Sequence, residues 1–324
     1  MVKNNTTGGV HMNQLRKDLM AEIKSKNRWL LIGAFLLCSS YFLTAQAQDA
    51  LPLSARVQSA LGICDSLPCW SQHVDTVSVP DVVLPQAFRH VAYNELVDSI
   101  GVLNSFWEKL RIAHAGAVTD SLHILHVGDS HIRGHVFPQT AGTCLQQTFG
   151  PLRYTDFGIN GAFCISFTRP ERVARMVALK PDLLILSLGT NESHNRRYNS
   201  QVHYRQLDEL VRMLRTELPD VPILLTTPPG SYDSFRQRRH RRTYKVNTRT
   251  MQTVNTIRRY ADANGLAVWD MYEVFGGVQR AALNWWKSGL MRPDHVHYLP
   301  AGYELQGRMF FQALLKAYNR YVTE

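Results

Sequence analysis

Apolar runs of strand length recur along this chain, and their spacing constrains the fold more than any other feature. They read LHILHV from Leu122, DLLILSL from Asp182, VPILLTT from Val221 and GLAVWD from Gly265. Between them lie longer stretches of helical periodicity. YRQLDELVRMLRTEL (204–218) puts Leu207, Leu210, Val211 and Leu214 on one stripe, and NTIRRYADANG ends in Gly265, a residue suited to close a helix. Strands that are apolar without alternation are covered on both faces, and strands that alternate with helices connect in parallel. The pattern predicts an α/β three-layer sandwich, a central mostly parallel sheet flanked by helices, of about 200 residues. A shorter strand is expected near Tyr154–Phe157. Upstream, residues 94–114 carry Leu96, Ile100, Leu103, Phe106, Leu110 and Ile112 at near-helical spacing, which predicts one or two amphipathic helices packed on that domain.

Ligands of open α/β sheets bind outside the carboxyl ends of the strands, so the residues just after each run are the informative ones. Gly128-Asp129-Ser130-His131 follow the first strand, the GINGA segment (158–162) the short one, Gly189-Thr190-Asn191-Glu192 the next, and Thr227-Pro228-Pro229 the one after. All four sets fall on one edge of the predicted sheet.

A serine hydroxyl becomes a nucleophile when a base takes its proton, an acid orients that base and donors receive the charge on the attacked carbonyl. Ser130 offers the hydroxyl at a strand-to-helix turn, although serine is also a favoured helix N-cap. RPDHVHYLPAGY places Asp294 and His297 three residues apart, ahead of a helix expected from about Pro300, with His295 as the competing imidazole. Oxyanion donors are available in the Ser130 N–H, the N–H of a glycine in GINGA and the Asn191 amide; losing one such donor costs about 10²- to 10³-fold in rate. Glu192 is expected to support its loop, and His126, His131, His194 and His203 to be structural or solvent-facing. Tyr232, Trp285 and Trp286 are weaker candidates for contact with a sugar ring.

Taken in order, GDSH, GINGA, GTNE and DHVH resemble the SGNH hydrolase superfamily, also called GDSL-type esterases, over roughly residues 120–324. The resemblance implies Ser130 as nucleophile, Asp294 and His297 as the rest of the triad, and Ser130, Gly161 and Asn191 as oxyanion donors, with Gly158 as the alternative glycine. GDSH in place of GDSL, GTNE, LLTTPPGSY (224–232) and the stretch from Trp285 to Gly307 are similar to the branch that removes O-acetyl groups from peptidoglycan. This implies a serine O-acetylesterase of a cell-wall glycan that uses no metal or organic cofactor. Another acetylated polysaccharide such as xylan, or a lysophospholipid, is the competing ester; the Arg, Tyr and Trp near the triad favour a sugar ester. Arg133-Gly134, Tyr298 and the basic run at 236–242 depart from the family pattern, and none belongs to the triad.

Two readings come from other classes. A metal-dependent phosphoesterase would draw on His126, Asp129, His131 and His135, yet the chain lacks an Asp-x-His on an earlier strand and a Gly-Asn-His. A non-catalytic glycan-binding protein on the same fold would normally have lost the nucleophile or the histidine, and both are present.

The first 47 residues read differently. KSKNRWLLIGAFLLCSSYFLTAQAQ has a basic flank, an apolar run and an Ala45-Gln46-Ala47 ending, the layout of a secretory signal peptide. Its apolar run is short for the roughly twenty residues of a spanning helix. The expected organisation is a signal peptide at 1–47, an irregular and helical lead-in at 48–115 and the hydrolase domain at 116–324. The protein is then exported to the periplasm or cell envelope, and membrane-anchored if the leader stays uncleaved. Without the leader the formal charge of +10 falls to about +6, and much of the excess sits in RQRRHRR (236–242). Such a run is a solvated loop or a rim for an acidic wall polymer; nucleic acid is disfavoured because no aromatic residues interleave. Cys64 and Cys69 close a loop small enough to bridge, whereas Cys144 and Cys164 are expected as free, buried thiols.

Overall fold

The computed structural model describes residues 75–116, 121–237 and 242–324; the leader, Cys64 with Cys69 and the centre of the basic run lie outside them. The elements, in chain order, are β1 (Leu96–Val97), α1 (Asn104–His114), β2 (Leu122–Gly128), α2 (Ser130–Arg133), α3 (Val136–Phe149), β3 (Leu152–Gly158), α4 (Pro170–Ala178), β4 (Leu183–Ser187) and α5 (Thr190–His194). There follow α6 (Ser200–Glu217), β5 (Ile223–Thr226), β6 (Tyr232–Arg236), β7 (Arg242–Val246), α7 (Arg249–Asn264), β8 (Ala267–Trp269), α8 (Met271–Val274), α9 (Arg280–Lys287) and α10 (Pro300–Thr323).

Six strands form one sheet in the order β1-β8-β5-β4-β2-β3, parallel throughout except that β1 runs antiparallel to β8. Successive side chains of a strand point to opposite faces. Here Ile124, Leu183, Ile185, Leu224 and Trp269 enter a core shared with α1, α3 and α10. Leu125, Val127, Leu184, Leu186, Leu225 and Val268 enter a second core shared with α4, α6 and α7. Burying each such side chain contributes roughly 1.5–3 kcal/mol, which is why the strands read as continuous apolar runs. The chain leaves β2 to form β3 on one side and returns across it to form β4 on the other. That reversal opens a crevice beyond the carboxyl end of β2, the place where Ser130 stands.

The helix expected from residue 94 begins only at Asn104. Leu96 and Val97 pair with Trp269 and Val268. Asp98 then accepts the N–H groups of Val102 and Leu103 at 2.9 and 3.0 Å, and Gly101 turns the chain at φ +69°. The side-chain carboxylate thus offers the backbone a turn in place of a helix, and Ile100 is left exposed. Asn94 secures the segment: its carbonyl accepts from the Trp269 indole at 2.9 Å, and its amide donates to the Met309 carbonyl and to Gln312.

The sequence pattern did not show the antiparallel hairpin β6–β7, registered from Tyr232↔Val246 to Arg236↔Arg242, the first and last residues of the basic run. Cys164 is a free buried thiol as expected; Cys144 is free but only half-buried. Among the described residues no helix is long and apolar enough to cross a membrane.

Candidate active site

The end of β2 is packed too tightly for side chains. A Cβ on Gly128 would fall 2.7 Å from the Ser187 carbonyl, and one on Gly158 only 2.1 Å from the Arg133 nitrogen. The two glycines face one another across β2 and β3, and their missing side chains let α2 sit directly on the strand ends. Asp129 is the N-cap of α2, its carboxylate accepting the His131 N–H at 2.9 Å. Ser130 is therefore the first helical residue, and the capping role open to it in sequence belongs to its neighbour.

The second half of the site arrives on the loop before α10. Asp294 Oδ1 accepts the backbone N–H groups of Val296 and His297 at 2.9 and 2.8 Å, while Oδ2 lies 3.0 Å from His297 Nδ1. Burial works to raise the Asp294 pKa, but those N–H groups and the His297 ring together hold it below the ordinary value. An ionised carboxylate at Nδ1 places the imidazole proton there. Nε2 is left as an acceptor, 2.9 Å from Ser130 Oγ. The loop is braced by a bridge between Met291 and Tyr298 and by the Tyr298 hydroxyl, which donates to the Gly230 carbonyl at 2.7 Å.

These residues border a cleft of about 630 Å³ lined by Ser130, Asn160, Gly161, Asn191, His297 and Tyr303 together with Arg133, Gly134 and Arg292. Gly161 reaches the cleft at φ +70°, whereas Gly158 is confined by the Arg133 backbone, so the two glycines that the sequence left as alternatives are separated. Asn191 donates to the Ala162 carbonyl at 2.9 Å and, at 3.4 Å, to Asp129 Oδ2. Glu192 accepts the Cys164 N–H at 2.7 Å and so ties the loop after Gly161 to α5, as its position had suggested.

Burial, with added repulsion from Glu192, pushes the Asp129 carboxyl up to about 7 against the pull of the His131 N–H. His131 lies behind the site, its ring 5.2 Å from that of His297 and its Nδ1 3.0 Å from the Tyr303 hydroxyl. Burial first, and then the neighbouring His297, lower its pKa to about 3. A neutral His131 presents no like charge to His297 when that ring takes up a proton.

His295 does not compete for the serine. Its ring is sandwiched between Tyr244 and Trp286, and its Nδ1 is buried without a partner. Of the three aromatic candidates, Trp285 is a correction: it is fully buried against Phe88, Phe275 and Tyr298, where no sugar ring can reach it. Tyr232 is also buried and meets His295 edge-on. Trp286 keeps 44% of its surface exposed. Asp129, Arg133 and Arg292 were not singled out as site residues in the sequence. The signal for Asp129 was its place as a polar cap directly before the serine.

The residues a dinuclear metal site would need are dispersed. His126 is bound between the Tyr154 hydroxyl and Ser187 inside the sheet, and His135 is paired with Asp156 at 2.7 Å. Among the described residues the gathered trio of possible ligands is Cys164, Glu192 and His203, all buried and none of them lining the cleft.

Comparison with known proteins agrees with this architecture. The model of the GDSL-like lipase/acylhydrolase family matches residues 126–305. A solved peptidoglycan O-acetylesterase superposes with a TM-score of 0.61 at 18% identity, over 69% of this chain and 99% of that one. A GDSL-like lipase from Bacteroides thetaiotaomicron gives a TM-score of 0.45 at 19% identity, over 66% and 99% of the two chains. A lipase/acylhydrolase from Enterococcus faecalis gives 0.42 at 19%, over 60% and 96%. No curated protein matches the chain.

Proposed function

The chain belongs to the GDSL-like lipase/acylhydrolase family, and from that premise we propose that it is a serine esterase that removes O-acetyl groups from a cell-wall glycan, peptidoglycan first among them. The observation that carries this reading is the line Asp294–His297–Ser130, with contacts of 3.0 and 2.9 Å, opening onto the cleft.

His297, oriented by Asp294, takes the Ser130 proton as the hydroxyl oxygen attacks the acetyl carbonyl. The oxyanion is received by the N–H groups of Ser130 and Gly161 and by the Asn191 amide, whose long contact to Asp129 is the one exchanged for it. His297 then gives that proton to the departing sugar oxygen, which leaves as a free hydroxyl, and the acetyl-enzyme is hydrolysed when the same imidazole activates water. A short acyl group on a polar alcohol suits the cleft, because among the described residues no Leu, Ile, Val, Met or Phe side chain lines it, while Ser130, Asn160, Asn191 and two arginines do. An open cleft admits water, which favours hydrolysis over acetyl transfer. The solved O-acetylesterase shares the fold and supports the choice of glycan. Export by the leader read in residues 1–47 would bring the enzyme to that polymer.

The test is acetate release from O-acetylated peptidoglycan by wild type and Ser130→Ala, beside acetylated xylan and a small acetyl ester. Serine-dependent release from peptidoglycan well above xylan supports the proposal; release confined to the small ester removes the cell-wall substrate.

A further inference from the structure

The charged side chains that line the cleft, apart from the His297 ring, are Arg133 and Arg292, and no carboxylate lines it among the described residues. Both are exposed. Each is carried by one of the segments that bring the reacting groups together. Arg133 ends the helix that Ser130 begins, and its backbone is held against Gly158. Arg292 precedes Asp294 on the dyad loop, where its N–H donates to the His297 carbonyl at 2.8 Å and its carbonyl accepts from His295 at 2.9 Å.

Neither guanidinium is neutralised. Arg133 Nη1 contacts His135 Nε2 at 2.6 Å, and His135 Nδ1 faces Asp156 at 2.7 Å. With the ring proton on Nδ1, His135 accepts from the arginine and orients it while occupying one of its five N–H groups. The Arg292 side chain makes no hydrogen bond or ion pair among the described residues. Two permanent cations beside a reaction centre, carried on anchored backbone and with spare planar donors, match a carboxylate in charge and donor pattern.

We infer that Arg133 and Arg292 form an anion subsite that selects acetyl esters bearing a carboxylate close to the ester, so that the substrate is an acidic glycan. This rests on the esterase reading above and adds to it the chemistry of the group beside the acetyl. A lactyl ether free of its stem peptide and a uronic acid both supply such a carboxylate.

The experiment compares kcat/KM for 4-acetoxybenzoate with that for the neutral 4-acetoxybenzamide, in wild type, in the Arg133→Gln/Arg292→Gln double variant and in Arg212→Gln, an exposed arginine of α6 outside the cleft. Wild type and Arg212→Gln are expected to share a preference for the carboxylate ester about tenfold stronger than that of the double variant, shrinking as salt is added. Acetylated alginate and O-acetylated peptidoglycan stripped of its stem peptides by an amidase then distinguish the two carboxylate sources. A wild-type preference equal to that of the double variant overturns the subsite while leaving the esterase reading intact. Absence of Ser130-dependent turnover of either small ester overturns both.

Discussion

The imidazole of His295 lies face to face with the ring of Tyr244, centroids 3.7 Å apart and planes inclined by 21°. Trp286 covers its other side at 4.0 Å, and the His295 carbonyl accepts the Tyr232 N–H at 2.9 Å. The hairpin β6–β7 is thereby fastened to the loop that carries Asp294 and His297, through a residue held at φ +59°.

His295→Ala removes both stacked faces beside the dyad. Displacing a reacting group by about 1 Å can cost up to 10²-fold in rate, so kcat on a small acetyl ester should fall about tenfold or more. His295→Phe, which restores the stack, should recover most of it. Equal rates for the two variants would show that the stack does not position His297.

Ser130→Ala and His297→Ala should each lower kcat by roughly 10⁴-fold or more, and Asp294→Asn by a comparable factor because the imidazole tautomer is no longer fixed. Melting temperatures should stay near wild type for the serine variant, whose hydroxyl makes one partly buried contact. Activity persisting in any of the three would remove that residue from the mechanism.

The glycines at 158 and 161 should fail in different ways. Gly158→Ala drives a methyl into the Arg133 backbone and is expected to cost about 1–3 kcal/mol, read as a lowered melting temperature. Gly161→Ala meets no atom within 4 Å but strains a φ of +70°; its main effect should be on kcat. Asn191→Ala should cost about 10²- to 10³-fold in kcat. Kinetics and thermal melts on the three variants separate the roles.

Stability should fall as pH drops from about 6.5 to 4. Burial holds His126 and His131 near 3, against an ordinary 6.5, so unfolding in this window takes up protons that the fold refuses. Burial lowers His123, His194 and His203 in the same direction. Asp129 opposes them: raised to about 7 from 3.8, it is protonated in the fold and releases its proton on unfolding. The uptake outweighs the release, so acid favours the unfolded chain. Thermal melts from pH 7.5 to 4.5 should show this fall, and Asp129→Asn should steepen it; a flat or rising curve would contradict the assignment.

Replacing the arginines of the 236–242 run by glutamine should weaken binding to wall sacculi more than it slows a small ester. A pull-down with purified sacculi at two salt concentrations reads the effect; unchanged binding would overturn the rim reading of the run.

The layers, and the chain order of the candidate site residues, were readable from the amino acids alone. Strands buried on both faces must be apolar throughout, so β2, β4, β5 and β8 were legible as runs, and their loops could be aligned on one edge without knowing a single contact. Ser130, Asp294 and His297 were legible as candidates because a serine just after a strand and an Asp-x-x-His ahead of a helix are the residue types that acyl-transfer chemistry calls for. Tertiary structure decided what depends on distant partners. Leu96 and Val97 became a strand because Trp269 and Val268 offered an edge, and Trp285 became core because Phe88, Phe275 and Tyr298 close over it. Gly161 rather than Gly158 faces the cleft because the Arg133 backbone fills the space beside the latter. Local periodicity reports which side of an element is apolar. It carries no information on which residue, a hundred positions away, will stand against it, and that pairing is what brings Arg133 and Arg292 to the same cleft as Ser130.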